Sequence, residues 1–298
     1  MAATSSVHTL YQVIVGADVY DQITTSTLNH NFEEILLSGD GAVDPTFVAV
    51  MAQKPVLSFS TTAVKTALGY SALSGDSWTA GGASFYFRKV TEGGTRPLYS
   101  AVEHISIVPD EGMIIPRRIS ASQGQVASID YDVVIASTDG LIPLAVTASQ
   151  TVPVDTAVGE AYTVGAIAIN GTAIKGVQSV TIDFGITELV QAGDGATWPT
   201  FVAIMERKPF ITFTTPDLDL YPTWTAAGAA QTDTDSTVTL TALTEGAATR
   251  GTPITFTIDE SIIRYDTIGG GHGEPQMATC RISPTFDGTA AIIAITGI

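Results

Sequence analysis

The chain has 298 residues, 45% of them hydrophobic and 14% charged, so it can bury a sizeable core and is not expected to be disordered. Its 30 acidic and 13 basic residues give a formal net charge of −17, which argues against tight binding to nucleic-acid phosphates or anionic membranes. The single cysteine excludes an intrachain disulfide, and the apolar stretches are too short to predict a membrane-spanning helix.

The first prominent element is a long β-hairpin, which we predict between Ile23 and Thr61. Along Phe47–Met51, the residues Phe47, Ala49 and Met51 alternate with Val48 and Val50, as on the two faces of a strand. Lys54-Pro55 places a proline in this extended region, which predicts a bulge or a sheet edge. The tip of the hairpin is the small, acidic segment Gly39–Pro45.

One short helix and several strands are predicted to follow the first hairpin. The helix is predicted over Thr62–Tyr70, with Gly69 near its end. The strands are predicted at Ser84–Val90, Ser100–Val108, Ile114–Ala121 and Val126–Ala136.

The second half of the sequence begins with a short hairpin. Two apolar runs flank Asn170-Gly171, which is the strongest local signal for a two-residue turn. In the strand that follows, Val180, Ile182 and Phe184 alternate with polar residues. A second long hairpin is predicted over Val177–Thr215. Its tip lies at Gly193–Pro199, and a second short helix is predicted over Pro216–Trp224.

The two long hairpins are copies of one another. Over the 23 positions from Gly39 and from Gly193, 14 residues are identical at a constant offset of 154. Weaker matches continue to Asp139-Gly140 and Asp287-Gly288, where the offset has drifted to 148. We therefore predict a mainly β chain made by tandem duplication, with domains at residues 1–152 and 153–298. A period of about 150 residues is a whole domain, which excludes a solenoid.

Catalytic and metal-binding patterns are missing from the sequence. None of the histidines (His8, His30, His104 and His272) lies three to five residues from another histidine or from the cysteine. The glycine-rich segment around His272 is not followed by a helix, and neither a Gly-x-Ser-x-Gly nor a Walker-type motif occurs. Cys280 is expected to be a small buried residue in a strand. We therefore expect no enzymatic activity and no cofactor.

The order of elements resembles that of the tail tube proteins of long-tailed bacteriophages. The resemblance is carried by the short hairpin at Ile167–Ile174, the strand with Gly176, Ser179 and Ile182, and the long hairpin with its Gly-Asp-Gly tip. A short helix and closing strands complete it. The two-copy form is similar to duplicated tube proteins, which assemble as trimeric, pseudo-hexameric rings. The resemblance implies a β-sandwich or β-barrel in each copy, with one long hairpin and one short helix.

It also implies roles and partners. The chain would be made in the host bacterial cytoplasm and would reside in the virion tail. It would contact copies of itself, the tape-measure and tail-end proteins, and DNA passing without specific binding; no membrane is expected. The long hairpins would line the DNA channel, where negative charge denies phosphates their usual Lys and Arg contacts. The candidate lumen acids are Glu33, Glu34, Asp183 and Glu188.

The hairpin tips would contact the next ring of the tube. The tip residues are Gly39, Asp40, Gly41, Asp44, Pro45, Gly193, Asp194, Gly195, Trp198 and Pro199. Trp198 would either anchor an interface or be buried within its own domain. An alternative function is another β-sandwich virion component, namely a head decoration, a tail-tip protein or a fibre that binds glycans. Trp78, Trp198 and Trp224 are too scattered to favour a carbohydrate site.

Overall fold

A computed structural model describes residues 6–41, 43–71, 73–91, 96–154, 161–193, 195–219, 231–243, 251–271, 276–286, 288 and 291–298. The described residues form many strands and one short helix, which confirms the prediction of a mainly β chain. Below, the first half means residues up to 154 and the second half means residues from 161.

The first half contains twelve described strands and the helix. Its elements are β1 (Ser6–Val15), β2 (Asp18–Tyr20), β3 (Ile23–Asn29), β4 (Phe32–Leu37), β5 (Phe47–Gln53), β6 (Val56–Thr61), α1 (Val64–Ser71), β7 (Asp76–Trp78), β8 (Ala83–Thr91), β9 (His104–Pro109), β10 (Glu111–Ser122), β11 (Ser128–Ala136) and β12 (Leu144–Gln150).

The second half contains twelve described strands. They are β13 (Ala161–Ile169), β14 (Thr172–Ile174), β15 (Ser179–Asp183), β16 (Ile186–Gln191), β17 (Phe201–Arg207), β18 (Phe210–Thr215), β19 (Gln231–Asp233), β20 (Ser236–Leu243), β21 (Ile254–Ile258), β22 (Ser261–Gly269), β23 (Met277–Pro284) and β24 (Ala294–Thr296).

One ten-stranded sheet runs through both halves of the chain. Its order is β19-β22-β23-β18-β15-β10-β11-β6-β3, and β7 pairs with part of β10. The two halves meet where β15 of the second half pairs antiparallel with β10 of the first. The predicted domain boundary at 152/153 falls between β12 and β13, and it stays a prediction, because the central sheet does not divide there.

A smaller five-stranded sheet accompanies each half. Their orders are β12-β9-β8-β1-β2 and β24-β21-β20-β13-β14. The apolar face of the central sheet and the inner faces of these sheets contribute to one buried cluster, with Phe59 and Phe213 from the former and Phe85 and Phe256 from the latter. Alternate residues of the central strands point into this core, as the period of two along a strand requires.

The same strand pairing occurs in both halves. In the first half Thr25 of β3 lies opposite Ser60 of β6. In the second half Ser179 of β15 lies opposite Thr214 of β18, so both partners are shifted by 154 residues. We call residues related in this way counterparts. The same register thus recurs at the offset of 154 that the sequence shows, and the duplication itself stays a prediction.

The counterpart relation continues into the closing strands with a smaller shift. Asp132 of β11 lies opposite Ser58, and Arg281 of β23 lies opposite Thr212, which gives a shift of 149 from β11 to β23. A β-bulge interrupts β10 at Arg117 and interrupts β22 at the counterpart, Asp266. The matching bulges give the same alignment of β10 with β22 as the strand pairing does, and they do so independently of it.

Each predicted long hairpin consists of two separate strand pairs. β3 pairs with β6 and β4 pairs with β5, and the strands break at Lys54-Pro55. Proline has no N–H for the ladder, so the predicted bulge or edge is a full break between β5 and β6. The counterpart Lys208-Pro209 separates β17 from β18 in the same way. We call β4–β5 the first arm and β16–β17 the second arm.

Two local predictions have clear outcomes. Asn170 and Gly171 both have positive φ, at 49° and 71°, as a type I′ turn requires, so the short hairpin between β13 and β14 is confirmed. The helix predicted over Thr62–Tyr70 is confirmed as α1 and buries Val64, Ala67, Leu68 and Ser71.

The second predicted helix has no such support. Residues 216–219 are not helical, and the rest of Pro216–Trp224 lies outside the described residues. Within the described part of the chain, no helix is both long and apolar enough to cross a bilayer.

Candidate assembly interface

The contacts between the two halves, which we call the inner junction, show how the first half binds the second. Along β10 and β15, Ile119 lies opposite Ile182 and both side chains are buried. On the opposite face of the same ladder Arg118 lies opposite Asp183. The junction therefore continues both the apolar core and the polar outer face across the two halves.

Ion pairs fasten the second arm to the first half. Arg117, at the bulge of β10, donates from its terminal nitrogens to both carboxylate oxygens of Glu188, at 2.9 and 2.7 Å. Its Nε donates to Asp132 at 2.7 Å, and one terminal nitrogen also donates to the carbonyl of Ile186 at 2.7 Å. One guanidinium thus binds groups from β11 and β16, which belong to different halves.

The electrostatics of this cluster favour its charged forms. Burial acts to lower the pKa of Arg117, but the hydrogen bonds and charges of Glu188 and Asp132 raise it above its ordinary value. Burial acts to raise the pKa of Glu188, but the hydrogen bond and charge of Arg117 outweigh this and lower it. Charge-assisted, two-armed pairs of this type are the stronger class of hydrogen bond.

The tip of the second arm also lies on the first half. The N–H of Ser137 donates to the carbonyl of Pro199 at 2.8 Å, and the N–H of Gln53 donates to that of Thr197 at 2.9 Å. A Cβ placed on Gly140 would come within 2.9 Å of the Cβ of Ala196, so the two surfaces are in close contact.

Trp198 is 9% exposed and borders a cleft whose other walls come from the first half. Those walls include residues 138–143 and Val108–Asp110. Trp198 therefore lies at the interface between the two halves. Pro199 is buried beside it, whereas Gly193 and Gly195 are exposed and Asp194 lies outside the described residues.

The five-stranded sheet of the second half makes a third set of contacts. The N–H of Ala127 donates to the carbonyl of Tyr162 at 2.6 Å. The hydroxyl of Thr163 donates to the carbonyl of Ser122 at 3.0 Å. The inner junction thus spans both layers of the fold and an arm, which is more than a single strand pairing.

The two ends of the central sheet carry the counterparts of the strands that meet at the inner junction. β3 is the counterpart of β15, and β22 is the counterpart of β10. In the described part of the chain no strand pairs with the outer edge of β3, and β19 covers β22 only over Ser261–Ile263. An open strand edge readily pairs with another chain.

The first arm exposes an apolar face that the second arm buries. Phe32 is 56% exposed, whereas its counterpart Ile186 is 7% exposed because the first half covers it. The same contrast holds further along the arm: Leu36, Val48 and Val50 are exposed, and their counterparts Val190, Val202 and Ile204 pack against the core. Clustered exposed apolar residues mark interaction surfaces.

A second apolar face is exposed on both arms. Phe47 and its counterpart Phe201 are 52% and 51% exposed, and Met51 and Met205 are 60% and 65% exposed. The inner junction does not cover this face. The described residues of the first tip, Gly39, Asp40, Gly41, Asp44 and Pro45, are likewise exposed.

The outer face of the central sheet is polar and rich in hydroxyl groups. Arg118 binds Asp130 at 2.9 Å, and Ser60 and Ser58 donate to Asp130 and Asp132. The hydroxyl-bearing residues whose register places them on this face include Thr25, Thr27, Ser58, Ser60, Ser120, Ser122, Ser128, Ser179, Thr181, Thr212, Thr214 and Thr279.

The four candidate lumen acids lie in different environments. Asp183 is on the polar face, and Glu188 binds Arg117 at the inner junction. Glu33 binds Lys54 at 3.2 Å on the exposed first arm, and Glu34 beside it is exposed. Sequence reasoning did not identify Arg117 as a junction residue. Its signal was the pair Arg117-Arg118 inside a predicted strand of a chain with few basic residues.

Two histidines and the cysteine have defined surroundings within the fold. His104 is buried; its Nδ1 accepts from the N–H of Lys89 and its Nε2 donates to the carbonyl of Leu98. His30 stacks on Phe32. His272 lies outside the described residues. Cys280 is fully buried in β23, as predicted, and burial followed by the charge of Asp266 raises its pKa to about 12.

Among the described residues, no group of three or more His, Cys, Asp or Glu could hold a metal ion. Comparison with known proteins adds no further constraint: the sequence matches no family model, and no curated protein was found to be similar to it.

Proposed function

We propose that this chain is a structural protein that joins head to tail with copies of itself to form rings, and that the rings stack as the tail tube of a long-tailed phage. The inner junction is the observation that carries this proposal. β15 pairs with β10 inside the chain, and their counterparts lie at the ends of the same sheet, where β3 has an open edge and β19 covers β22 only over Ser261–Ile263. A second chain can therefore repeat at its ends the contact that each chain already makes internally.

Closure into a ring is possible because this contact is head to tail. Each half offers a β3-type edge and an arm to one neighbour, and a β10-type edge to the other. Repeated head-to-tail contacts of this kind close into rings when the rotation between units allows it. Three chains would supply six equivalent halves, in agreement with the trimeric, pseudo-hexameric rings that the resemblance implies.

The surface exposed on both arms supports the stacking of rings. The inner junction leaves Phe201 and Met205 of the second arm exposed. If the first arm docks in the same way on a neighbouring chain, its Phe47 and Met51 stay exposed too. A face repeated in every half gives six copies per ring. With the tips Gly39–Pro45 and Gly193–Gly195, it is the surface that we assign to contacts with the next ring.

The polar face of the central sheet suits a channel wall. Two of its arginines, Arg117 and Arg118, are already bound to carboxylates, so they are poorly available to DNA phosphates. Arg281 also lies on this face, opposite Thr212, and forms no ion pair with any described residue. Since Lys and Arg contacts to phosphate dominate nonspecific binding, a face of hydroxyls on which most arginines are neutralised favours the sliding of DNA. Low affinity along this wall would rest on neutralisation together with the net negative charge.

Purification of the full chain tests the proposal. We expect trimers of the 31.0 kDa chain, or stacked tubes, in analytical ultracentrifugation and negative-stain micrographs. A monodisperse monomer at high concentration, with no rings on the grid, would contradict it.

The alternative is another virion component, such as a head decoration, a tail-tip protein or a glycan-binding fibre. Trp78 and Trp198 are buried and Trp224 lies outside the described residues, so no described tryptophan offers an exposed stacking surface for a sugar. Glycan binding without polymerisation would favour this alternative.

A further inference from the structure

The ion-pair cluster of the inner junction has a counterpart at the open end of the second half, and its charges are exchanged. The counterpart of Arg117 is Asp266, at the bulge of β22. The counterpart of Asp132 is Arg281, on β23. In the first half the guanidinium is on β10 and the carboxylate is on β11. In the second half the carboxylate is on β22 and the guanidinium is on β23.

The acidic residue brought by the arm is not exchanged. Glu188 of the second arm has Glu34 of the first arm as its counterpart. An acceptor for either arm must therefore present a guanidinium. The first half presents it from β10, and the second half can present it from β23.

Arg281 is available for such a contact. Its guanidinium lies over the ring of Phe210 at 4.1 Å, and its Nε is buried with no hydrogen-bond partner among the described residues. The neighbouring Arg264 already binds Asp266 at 2.7 Å. A buried donor without a partner is costly, so the guanidinium of Arg281 is less well satisfied than that of Arg117.

Glu34 is the matching group at the other end of the chain. It is exposed and makes no ion pair with any described residue, whereas the adjacent Glu33 binds Lys54. Phe32, two residues earlier, is exposed where its counterpart is buried. The first arm thus carries an apolar face and an unpaired carboxylate in the arrangement that the second arm uses at the inner junction.

We propose that Glu34 of one subunit binds Arg281 of the next, as the first arm docks on the second half of the neighbouring chain. This inference rests on the proposed ring. The inner junction fixes its register: Leu28 of β3 would lie opposite Ile268 of β22, as Ile182 lies opposite Ile119. The guanidinium of Arg281 can occupy the place that the guanidinium of Arg117 has at the inner junction. Arg117 lies 2.7 Å from Asp132, the counterpart of Arg281, so side chains from these two positions reach the same place.

Charge reversal in the full-length chain tests the pairing. The variants are Glu34→Arg, Arg281→Glu and the double variant, with Glu33→Gln as a matched control on the same strand. The measurement is the subunit concentration at half-assembly, followed by mass photometry and sedimentation velocity. We expect each single reversal to raise this concentration at least about tenfold, since close charge pairs at interfaces are strongly coupled. The double variant should return to within about threefold of the wild type, and Glu33→Gln should change it little.

The outcomes separate this inference from the proposed function. A wild-type chain that stays monomeric overturns both. If the wild type forms rings and Glu34→Arg assembles at an unchanged concentration, the ion pair is refuted and the ring proposal stands. Glu34 is exposed, so this variant is expected to fold even if Arg281→Glu does not. If both single variants fold and assemble poorly but the double variant gives no recovery, the two residues do not contact each other.

Discussion

Arg117 and Glu188 form a two-armed ion pair that ties the second arm to the first half of the chain. The side chains are 26% and 23% exposed, so the pair is largely shielded from solvent. Asp132 and the carbonyl of Ile186 occupy further donors of the same guanidinium. Because breaking a shielded pair leaves an uncompensated charge, the cost of removing one partner should exceed that of an exposed pair.

We expect Glu188→Gln to destabilise the chain by about 1–3 kcal/mol, because Arg117 would lose a charged partner in a poorly solvated site. Urea unfolding followed by circular dichroism measures the loss. The matched control is Glu206→Gln in the neighbouring β17, whose pair with Lys208 is exposed. Exposed pairs contribute about 0–1 kcal/mol, so this variant should change stability little. Equal effects of the two substitutions would show that the pair does not fasten the arm.

The same pair predicts a pH dependence. The folded-state pKa of Glu188 is lowered, so its contribution to stability is fully present above the ordinary glutamate pKa of about 4.3 and is lost as pH falls through the lowered value. The stability difference between the wild type and Glu188→Gln should therefore be constant near neutral pH and shrink below about pH 4.3. Urea titrations at a series of pH values measure it. A difference that grows on acidification would contradict the assignment.

Local features were predictable because they depend on neighbouring residues. Alternation indicated strands such as β15, and Asn170-Gly171 identified the turn between β13 and β14. The pairing of β10 with β15 was not predictable, because edge pairing between distant strands leaves no periodic trace in either. Trp198 illustrates the same limit. The sequence left it either at an interface or buried within its own domain, and only the register of the second arm decides that it lies against the first half.

Cys280 should be unreactive in the folded chain. It is fully buried, and its raised pKa keeps it as the thiol near neutral pH, whereas the thiolate is the reactive form. We expect no labelling by a thiol-specific chromogenic reagent at pH 8 under native conditions, and one equivalent of labelling in denaturant. Rapid native labelling would mean that β23 is accessible, which contradicts its place inside the central sheet.

Gly140→Ala should destabilise the chain through the second arm. Gly140 has a φ of 76°, and an added Cβ would meet Ala196 at 2.9 Å. Gly124 is a matched control, because it has the same φ but no atom within 4 Å of the added Cβ. Both alanine variants carry the backbone strain of a left-handed conformation, about 1 kcal/mol. We expect Gly140→Ala to lose a further 1 kcal/mol, roughly, in urea unfolding because of overpacking. Equal losses would place the arm away from this loop.

Ring closure and ring stacking should respond to different faces of the first arm. Phe32 is exposed where its counterpart is buried, so Phe32→Ser should weaken trimer formation, by roughly the 1.5–3 kcal/mol gained when a large apolar side chain is buried. Phe47 and Met51 are exposed like their counterparts, so Phe47→Ser combined with Met51→Ser should leave trimers intact and prevent stacked tubes. Sedimentation velocity reports trimers and negative-stain microscopy reports tubes. If the double variant dissociated trimers, or if Phe32→Ser trimers were unaffected, the assignment of the two faces would be wrong. The separation is expected because the inner junction covers one face of an arm and leaves the other open, and each interface of a ring-stacked tube needs a face of its own.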